Sequence, residues 1–268
     1  MMVKRGLVFK ILPHLILTAA WSLVVVYFHH QVRAVTVNPT IHTLIGFSLG
    51  MLLVFRTNAS YDRFWEGRKL LGAISGATRN LIRNSEVFFH DIPFVRKMIH
   101  EDCLRFYRCL ISFLRRESSE HPLSILTNIS QVIESEKRRK NISNLDQAML
   151  EGHLQKMTEA FGGCERILKT PLPEVYVLHL HRALVVYCYT LPFALLGSFH
   201  WEGMVIVGTV FLTFVLFGIE EIGVEIENPF GDDPNDLPLE KIYENLESTL
   251  TEITIKSSED SVFSEMNY

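Results

Sequence analysis

An uninterrupted apolar stretch, residues 38–55, constrains this chain more than any other feature. It contains no charged side chain, whereas the next fourteen residues, 56–69, contain six. It falls somewhat short of the roughly 20 residues that an α-helix needs to cross a bilayer, so length alone supports a span only weakly. Basic residues collect in the loops on the cytoplasmic side of a membrane. The boundary at Phe55–Arg56 therefore predicts a membrane-spanning helix that ends at the cytoplasmic surface.

The other apolar residues are also concentrated in segments. The 268-residue chain is 48% hydrophobic and 21% charged, too apolar for an ordinary soluble protein and too charged for one lying wholly in a membrane. A signal peptide is an alternative for the first segment, but no small-residue cleavage site follows it, and a retained span is favoured. We predict four membrane-spanning helices, at about residues 11–28, 40–55, 183–199 and 204–218.

Basic residues set the orientation. Lys4, Arg5 and Lys10 precede or begin the first predicted span, whereas the loop that follows it has only Arg33. By the positive-inside rule the N-terminus is cytoplasmic, and four spans return the C-terminus to the same side of a cell membrane or an internal membrane. We assign the first two spans to residues 1–55, a cytoplasmic region to 56–174, the last two spans to 175–219 and a cytoplasmic end to 220–268.

Hydrophobic periodicity predicts helices in the cytoplasmic parts. Apolar residues recur there every three or four positions, and no stretch alternates in the manner of a β-strand. We expect an all-α protein whose cytoplasmic helices continue from its membrane helices. The basic run 137–140 is interpreted as a solvated loop, and the polar end from residue 256 as a disordered tail. The periodic patterns cover residues 70–82, 97–116, 145–168 and 239–253.

Motifs of the common enzyme classes are absent from the sequence. It has no glycine-rich phosphate loop, no G-x-S-x-G elbow and no HExxH helix. His179 and His181 lie two residues apart on a predicted helix, so they point to different faces and are interpreted as ordinary helix histidines. A net charge of −4 without a basic stripe argues against a nucleic-acid partner. We therefore expect neither an enzyme nor a nucleic-acid-binding protein.

The loop after the fourth predicted span is rich in acids. Asp232, Asp233 and Asp236 follow Asn228 within a few residues. Oxygen ligands on an irregular loop suit calcium, which takes six to eight of them. However, the spacing does not match an EF-hand, and Asp residues in loops commonly form Asx turns. From the residues alone, the turn is favoured over a metal site.

The second predicted span carries an apolar stripe. Phe47, Met51 and Phe55 recur every four residues and therefore share a face. Gly46 and Gly50 form a GxxxG spacing, which lets helices approach one another closely. From the residues alone, helix packing or lipid contact explains the stripe.

Three motifs follow one another along the chain: FRTNASYDRFWEGRKLLG at 55–72, GGCERILKTPLPEVYVLHLHR at 162–182 and ENPFGDDPNDLPL at 227–239. Together they resemble the bestrophin family, in its bacterial and plant-like branch. The resemblance covers about residues 5–255 in the family's order. It implies a homopentameric ion channel whose central pore is lined by the second helix and its cytoplasmic extension.

The resemblance also implies roles for individual residues. Phe47, Met51 and Phe55 take the positions of the family's apolar pore neck, and Leu145 takes that of a second narrowing, the cytoplasmic aperture. Animal members bind calcium at the acidic loop, so calcium is a candidate ligand here, although Pro234 departs from the family's pattern and no cofactor is required. The candidate calcium residues are Asn228, Asp232, Asp233 and Asp236.

The permeating ion is less well determined, because family members include both anion and cation channels. We expect small anions such as chloride; a monovalent cation channel of the same fold and a non-conducting membrane scaffold or sensor are the alternatives. Arg56, at the base of the neck, is a candidate selectivity or vestibule charge unless Asp62 or Glu66 pairs with it. The expected partners are further copies of the chain, the permeating ions and the lipid bilayer.

Overall fold

Helices form most of the described chain. The structure, a computed structural model, describes residues 7–32, 37–117, 120–199 and 201–265, of which Leu7 and 256–265 are described by their backbone alone. These residues contain eight α-helices and no β-strand, so the all-α prediction is confirmed. The helices are α1 (Leu7–Val32), α2 (Pro39–Phe88), α3 (Pro93–Leu114), α4 (Pro122–Arg138), α5 (Asn144–Lys169), α6 (Glu174–Leu196), α7 (Gly203–Glu225) and α8 (Leu239–Glu265).

The chain folds as two compact units. The first unit contains α1, α6, α7 and the part of α2 up to Phe64; the second contains the rest of α2 with α3, α4, α5 and α8. The loop after α7 is divided, with Pro229–Gly231 in the second unit and Asp232–Asp236 in the first. α2 runs without a break through the boundary between its apolar and charged parts. This continuity confirms that the helix extends past its apolar stretch.

The first unit has apolar side chains on its outside as well as inside. Its small core joins α1, α2, α6 and α7 through residues that include Ile11, Leu53, Leu184 and Phe217. All but six of the exposed large hydrophobic side chains of the described chain lie in this unit. An exterior of this kind suits lipid rather than water, because a water-exposed apolar surface of this extent favours aggregation.

Three helices of this unit are long and apolar enough to cross a membrane, namely residues 8–32 of α1, α2 and α7. They correspond to three of the four predicted spans. α6 is not among them, because its first half carries His179, His181 and Arg182, and only its second half is apolar. A span in α6 therefore stays a prediction, and the helix ends at Leu196, before the predicted limit at residue 199.

The second unit has the arrangement of a water-soluble helical domain. Its amphipathic helices bury their apolar faces in a common core that includes Ile74 and Leu81 of α2, Phe106 and Leu110 of α3, and Phe161 of α5. Each of these side chains is at most 1% exposed. Burial of one such side chain contributes about 1.5–3 kcal/mol to folding. The predicted amphipathic patterns in α2, α3 and α5 are thereby confirmed.

The periodic patterns missed α4. Ile125, Ile129 and Ile133 recur at every fourth position of this helix and are buried, but polar residues separate them and the pattern is short. The interpretation of 137–140 as a loop is wrong in part, because Lys137 and Arg138 form the last turn of α4. Basic side chains are favourable there, since they face the negative end of the helix dipole.

α8 is longer than its apolar pattern predicts. The pattern covers residues 239–253, whereas the helix continues to Glu265. The prediction of a disordered tail from residue 256 is therefore wrong over the part of the tail that the structure describes. Residues with good helix propensity, such as Lys256 and Glu259, allow the backbone to continue as a helix without an apolar face.

Candidate ion pathway

The exposed face of α2 in the first unit is centred on the three predicted neck residues. The side chains of Phe47, Met51 and Phe55 are 71%, 45% and 58% exposed, whereas Leu49 and Leu53 on the opposite face are 4% and 1% exposed. Four residues advance about 400° around an α-helix, so the three neck side chains lie within about 80° of one another. They form an apolar, uncharged surface that is open in the single chain.

α6 packs against the opposite face of α2. A Cβ atom on Gly46 would lie 2.5 Å from the hydroxyl oxygen of Tyr187, so glycine is needed for this approach. The Tyr176 hydroxyl donates to the carbonyl oxygen of Leu52 at 2.8 Å. In contrast, a Cβ atom on Gly50 would meet nothing within 4 Å. Only Gly46 of the GxxxG pair therefore makes a close contact within the chain.

Arg56 is buried and is not a vestibule charge in the single chain. Its side chain is 1% exposed, its Nη1 donates to Glu220 Oε1 at 3.2 Å, and its Nη2 lies 3.9 Å from Glu227 Oε2. The alternative that Arg56 is paired applies, but its partners come from the end of α7 and the residues after it rather than from Asp62 or Glu66. Since these carboxylates neutralise Arg56, it presents no free positive charge to the exposed face of α2.

Glu220 also joins Arg56 to a histidine of α6. The same Oε1 atom lies 2.9 Å from His181 Nδ1. An ionised carboxylate only accepts hydrogen bonds, so Nδ1 carries the proton that His181 donates. On α1, the ring of His14 stacks on Phe217 with 4.2 Å between centroids and lies 6.0 Å from the His181 ring. These side chains line a cavity of about 250 Å³, together with Arg56.

No local pattern in the sequence predicts this cluster. Glu220 and His181 are far apart in the chain, so no nearby residues indicate that they meet. The available signal was the acidic run at the end of an apolar helix, since charges next to a membrane span are usually paired. Lys10 provides one such pairing. Its Nζ atom lies 2.8 Å from Glu221 and 3.4 Å from Glu225, two acids that share a face of α7.

The predicted aperture residue, Leu145, lies in the first turn of α5 with 71% of its side chain exposed. A capping box fixes the start of this helix. The Ser143 hydroxyl accepts from the backbone N–H of Asp146 at 3.2 Å, and the Asp146 carboxylate accepts from the backbone N–H of Ser143 at 2.9 Å. Met149, one turn further on, is 46% exposed. Leu145 thus lies on a second open apolar face, and its aperture role stays a prediction.

The acidic loop contains a β-turn over residues 233–236, to which the Asp236 side chain adds a hydrogen bond. The Asp236 carboxylate accepts from the backbone N–H of Asp233 at 2.6 Å, and the Asp236 N–H donates to the carbonyl oxygen of Asp233 at 3.0 Å. The described residues contain no group of three or more His, Cys, Asp or Glu side chains placed to hold a metal ion. Calcium binding at Asn228, Asp232, Asp233 and Asp236 therefore stays a prediction.

The sequence is similar to those of several bacterial proteins. A family model described as "Bacterial/Fungal Bestrophin protein" matches residues 1–121 and 114–252. A voltage-dependent anion channel-forming protein from Synechocystis sp. is 36% identical over 232 residues, which cover 76% of this chain and 74% of the relative. One from Nostoc sp. is 34% identical over 278 residues, which cover 93% of this chain and 89% of the relative.

The fold is similar to those of solved structures. A bacterial bestrophin homolog from Klebsiella pneumoniae, crystallised with a mutation, has a TM-score of 0.85 and 27% identity, and the match covers 91% of this chain and 99% of that one. A structure of the Klebsiella homolog solved by zinc phasing has a TM-score of 0.84 and 26% identity, with coverage of 93% and 98%. The relatives are channels by name, which confirms the prediction that the chain is not an enzyme.

Proposed function

Because this chain belongs to the bacterial and fungal bestrophin family, we propose that it is a membrane channel that conducts small anions such as chloride. Five copies form a ring in this proposal, and the pore runs along the ring's axis between the α2 helices. The names of the relatives from Synechocystis and Nostoc, which are anion channel-forming proteins, support the choice of an anion. No cofactor is needed for passive conduction.

The observation that carries the proposal is the open apolar face of α2. Phe47, Met51 and Phe55 are exposed in the single chain, although α6 and the rest of the first unit cover the opposite face of the helix. A ring of identical chains is the simple way to enclose a path with such a face, since closed symmetric oligomers are the usual assemblies. A ring of apolar side chains constricts the path and can gate it by dewetting.

Leu145 is proposed as a second constriction on the cytoplasmic side. It is exposed, apolar and fixed by the capping box at the start of α5. We propose that both termini are cytoplasmic, in line with the basic residues before the first span. A protease site inserted after residue 268 tests this orientation, because only protease on the cytoplasmic side of sealed vesicles cleaves it.

The neck itself carries no charge that selects for anions. The buried pair of Arg56 and Glu220 removes the nearest candidate. Selection in this proposal therefore arises from the potential of the wider vestibules and from the cost of dehydrating each ion in the apolar neck. For this reason the sign of the permeating ion has to be measured directly.

Reversal potentials in asymmetric salt provide that measurement. Purified protein is reconstituted in planar bilayers between unequal concentrations of potassium chloride, with empty bilayers as the control. The proposal predicts a current whose reversal potential moves toward the chloride equilibrium potential. Movement toward the potassium potential identifies a cation channel of the same fold. Absence of current in bilayers that contain the protein supports a scaffold or sensor and contradicts the proposal.

Substitutions in the neck test where the path lies. Joint replacement of Phe47, Met51 and Phe55 with Ala widens the proposed constriction, so we expect a larger current with little change in assembly. Phe211→Ala is the matched control, because Phe211 is 62% exposed but lies on α7. Equal currents in the triple variant and the wild type would contradict the assignment of the neck.

A further inference from the structure

We infer that Glu220 is a positioning residue for the pore helix and that proton binding by His181 changes the position that it maintains. This inference rests on the proposed channel function. It concerns Arg56, which directly follows the last neck residue, Phe55, on α2. A change at Arg56 is therefore transmitted to the neck through a single peptide unit of a continuous helix.

One carboxylate oxygen serves two donors. Glu220 Oε1 accepts from Arg56 Nη1 at 3.2 Å and from His181 Nδ1 at 2.9 Å. The Glu220 and Arg56 side chains are 9% and 1% exposed, so solvent does not compensate either of them when a partner moves. With a neutral imidazole the site holds one full cation and one carboxylate, and His181 adds a hydrogen bond without charge.

Arg56 has a second carboxylate within reach. Its Nη2 lies 3.9 Å from Glu227 Oε2, a distance at which the charges attract but no short hydrogen bond has formed. Its buried Nε atom has no hydrogen-bond partner among the described residues. The guanidinium thus has unused hydrogen-bonding capacity and an alternative acceptor close by. Arg56 can therefore pair mainly with Glu220 or mainly with Glu227, and these two arrangements make it a two-state element.

Charged groups on every surrounding helix define the electrostatics of His181. On α1, Lys10 is held by Glu221 and Glu225, and His14 lies 6.0 Å from the His181 ring. α2 contributes Arg56 and α7 contributes Glu220. His14 and His181 are thus the two imidazoles of this cluster, and an imidazole becomes a cation when it binds a second ring proton. The cavity of about 250 Å³ that they line has room for water, which gives protons a route to His181.

Protonation adds a second cation to the shared carboxylate. His181 keeps its Nδ1–H donor to Glu220 and gains a proton at Nε2, so Glu220 then faces two full positive charges. The charged imidazole competes with Arg56 for Oε1, and Arg56 moves toward Glu227. This movement loosens the α2 turn at Phe55. Acid should therefore raise the anion current, both through a wider neck and through added positive charge beside it.

Bilayer recordings across a pH series test the inference. For the wild type we expect the current to rise about fivefold or more between about pH 8 and pH 5.5. A fivefold change is at the lower end of the usual range of coupling between two sites. His181→Gln keeps a hydrogen-bond donor but cannot gain a proton, so it should conduct with little pH dependence. The matched control, His179→Gln, changes an exposed histidine two residues away and should retain the rise.

A second variant keeps the test decisive. Glu220→Gln leaves no carboxylate for Arg56 and His181 to share, and it should conduct without the acid response; its assembly is checked by size-exclusion chromatography. If that variant does not assemble, His181→Gln alone decides. The same acid response in His181→Gln and the wild type would overturn the inference while leaving the channel in place. Absence of current in every protein at every pH would instead reject the proposed function.

Discussion

The two units of this chain differ in which side chains face outward. In the first unit, the largest fully buried side chain is Arg56, and large apolar residues such as Phe9, Phe47 and Phe211 are exposed. In the second unit, Phe106 and Phe161 are buried together with most other large apolar side chains. Six large apolar side chains of this unit are exposed, namely Trp65, Val87, Phe94, Leu145, Met149 and Ile255.

This difference shows how the surroundings of each unit determine its stability. The second unit gains stability by removing apolar surface from water. When the apolar exterior of the first unit faces lipid, the hydrophobic effect does not stabilise the packing of its helices. Packing contacts and paired polar groups therefore contribute more to the stability of this unit. Both units nevertheless bury an ion pair. Arg56 pairs with Glu220 in the first, and Arg96 pairs with Glu86 at 2.7 Å in the second.

The largest expected contrast comes from removing one phenylalanine from each unit. Phe106→Ala creates a cavity in the core of the second unit and should cost about 3–5 kcal/mol. Phe211→Ala removes an exposed side chain of the first unit and should cost less than about 1 kcal/mol. Unfolding midpoints in detergent or nanodiscs measure both. Similar losses for the two variants would contradict the outward-facing role of the first unit's apolar side chains.

Close contacts between helices should contribute to the stability of both units. One glycine in each unit, Gly46 and Gly163, allows a comparison of these contributions. A Cβ atom at Gly46 would lie 2.5 Å from the Tyr187 hydroxyl, and one at Gly163 would lie 2.7 Å from Leu70 Cδ2. We expect Gly46→Ala and Gly163→Ala to cost about 1–3 kcal/mol each through overpacking. Thermal unfolding gives the comparison.

Gly50→Ala and Gly162→Ala are the controls for this pair, because a Cβ atom at either position meets nothing within 4 Å. They should be neutral or stabilising, since alanine favours a helix by up to about 1 kcal/mol over glycine. A destabilising effect of Gly50→Ala as large as that of Gly46→Ala would show that contacts with other copies of the chain, rather than contacts within the unit, dominate this helix.

A smaller effect is expected at the start of α5. Ser143→Ala removes the side chain that accepts from the Asp146 N–H, and it should cost about 1 kcal/mol of stability in the second unit. Ser143→Asp replaces the acceptor and should recover most of the loss. If the alanine variant unfolds at the wild-type temperature, the capping box does not determine the position of Leu145.

The smallest predicted effect is a pH dependence of the second unit. Burial holds the pKa of His100 below its ordinary value of 6.5, against the attraction of Glu86, Glu101 and Glu247. The unfolded chain therefore binds a proton before the folded one does, and stability falls as pH drops below about 6.5. Unfolding midpoints between about pH 7 and pH 5 should fall less in His100→Gln than in the wild type. His90→Gln, which alters an exposed histidine, should fall as the wild type does.

Local patterns in the sequence predicted the helices but not the contacts between them. The periodicity of α2, α3 and α5 and the apolar stripe at Phe47, Met51 and Phe55 can be recognised from nearby residues alone. The partner of Arg56 could not be identified in this way, because Asp62 and Glu66 are close in sequence whereas Glu220 is close only after folding. α4 was missed because three isoleucines among polar residues form a weak pattern.

Cysteine accessibility at the neck tests the central claim most directly, namely that the open face of α2 lines the conduction path. Met51→Cys should lose most of its current when a charged, membrane-impermeant thiol reagent is added. Leu53→Cys, buried on the opposite face, and Phe211→Cys, exposed on α7, should keep theirs. The native cysteines should react little, because Cys103, Cys109, Cys164 and Cys188 are all buried. Undiminished current in the Met51→Cys channel after reagent treatment would contradict the account.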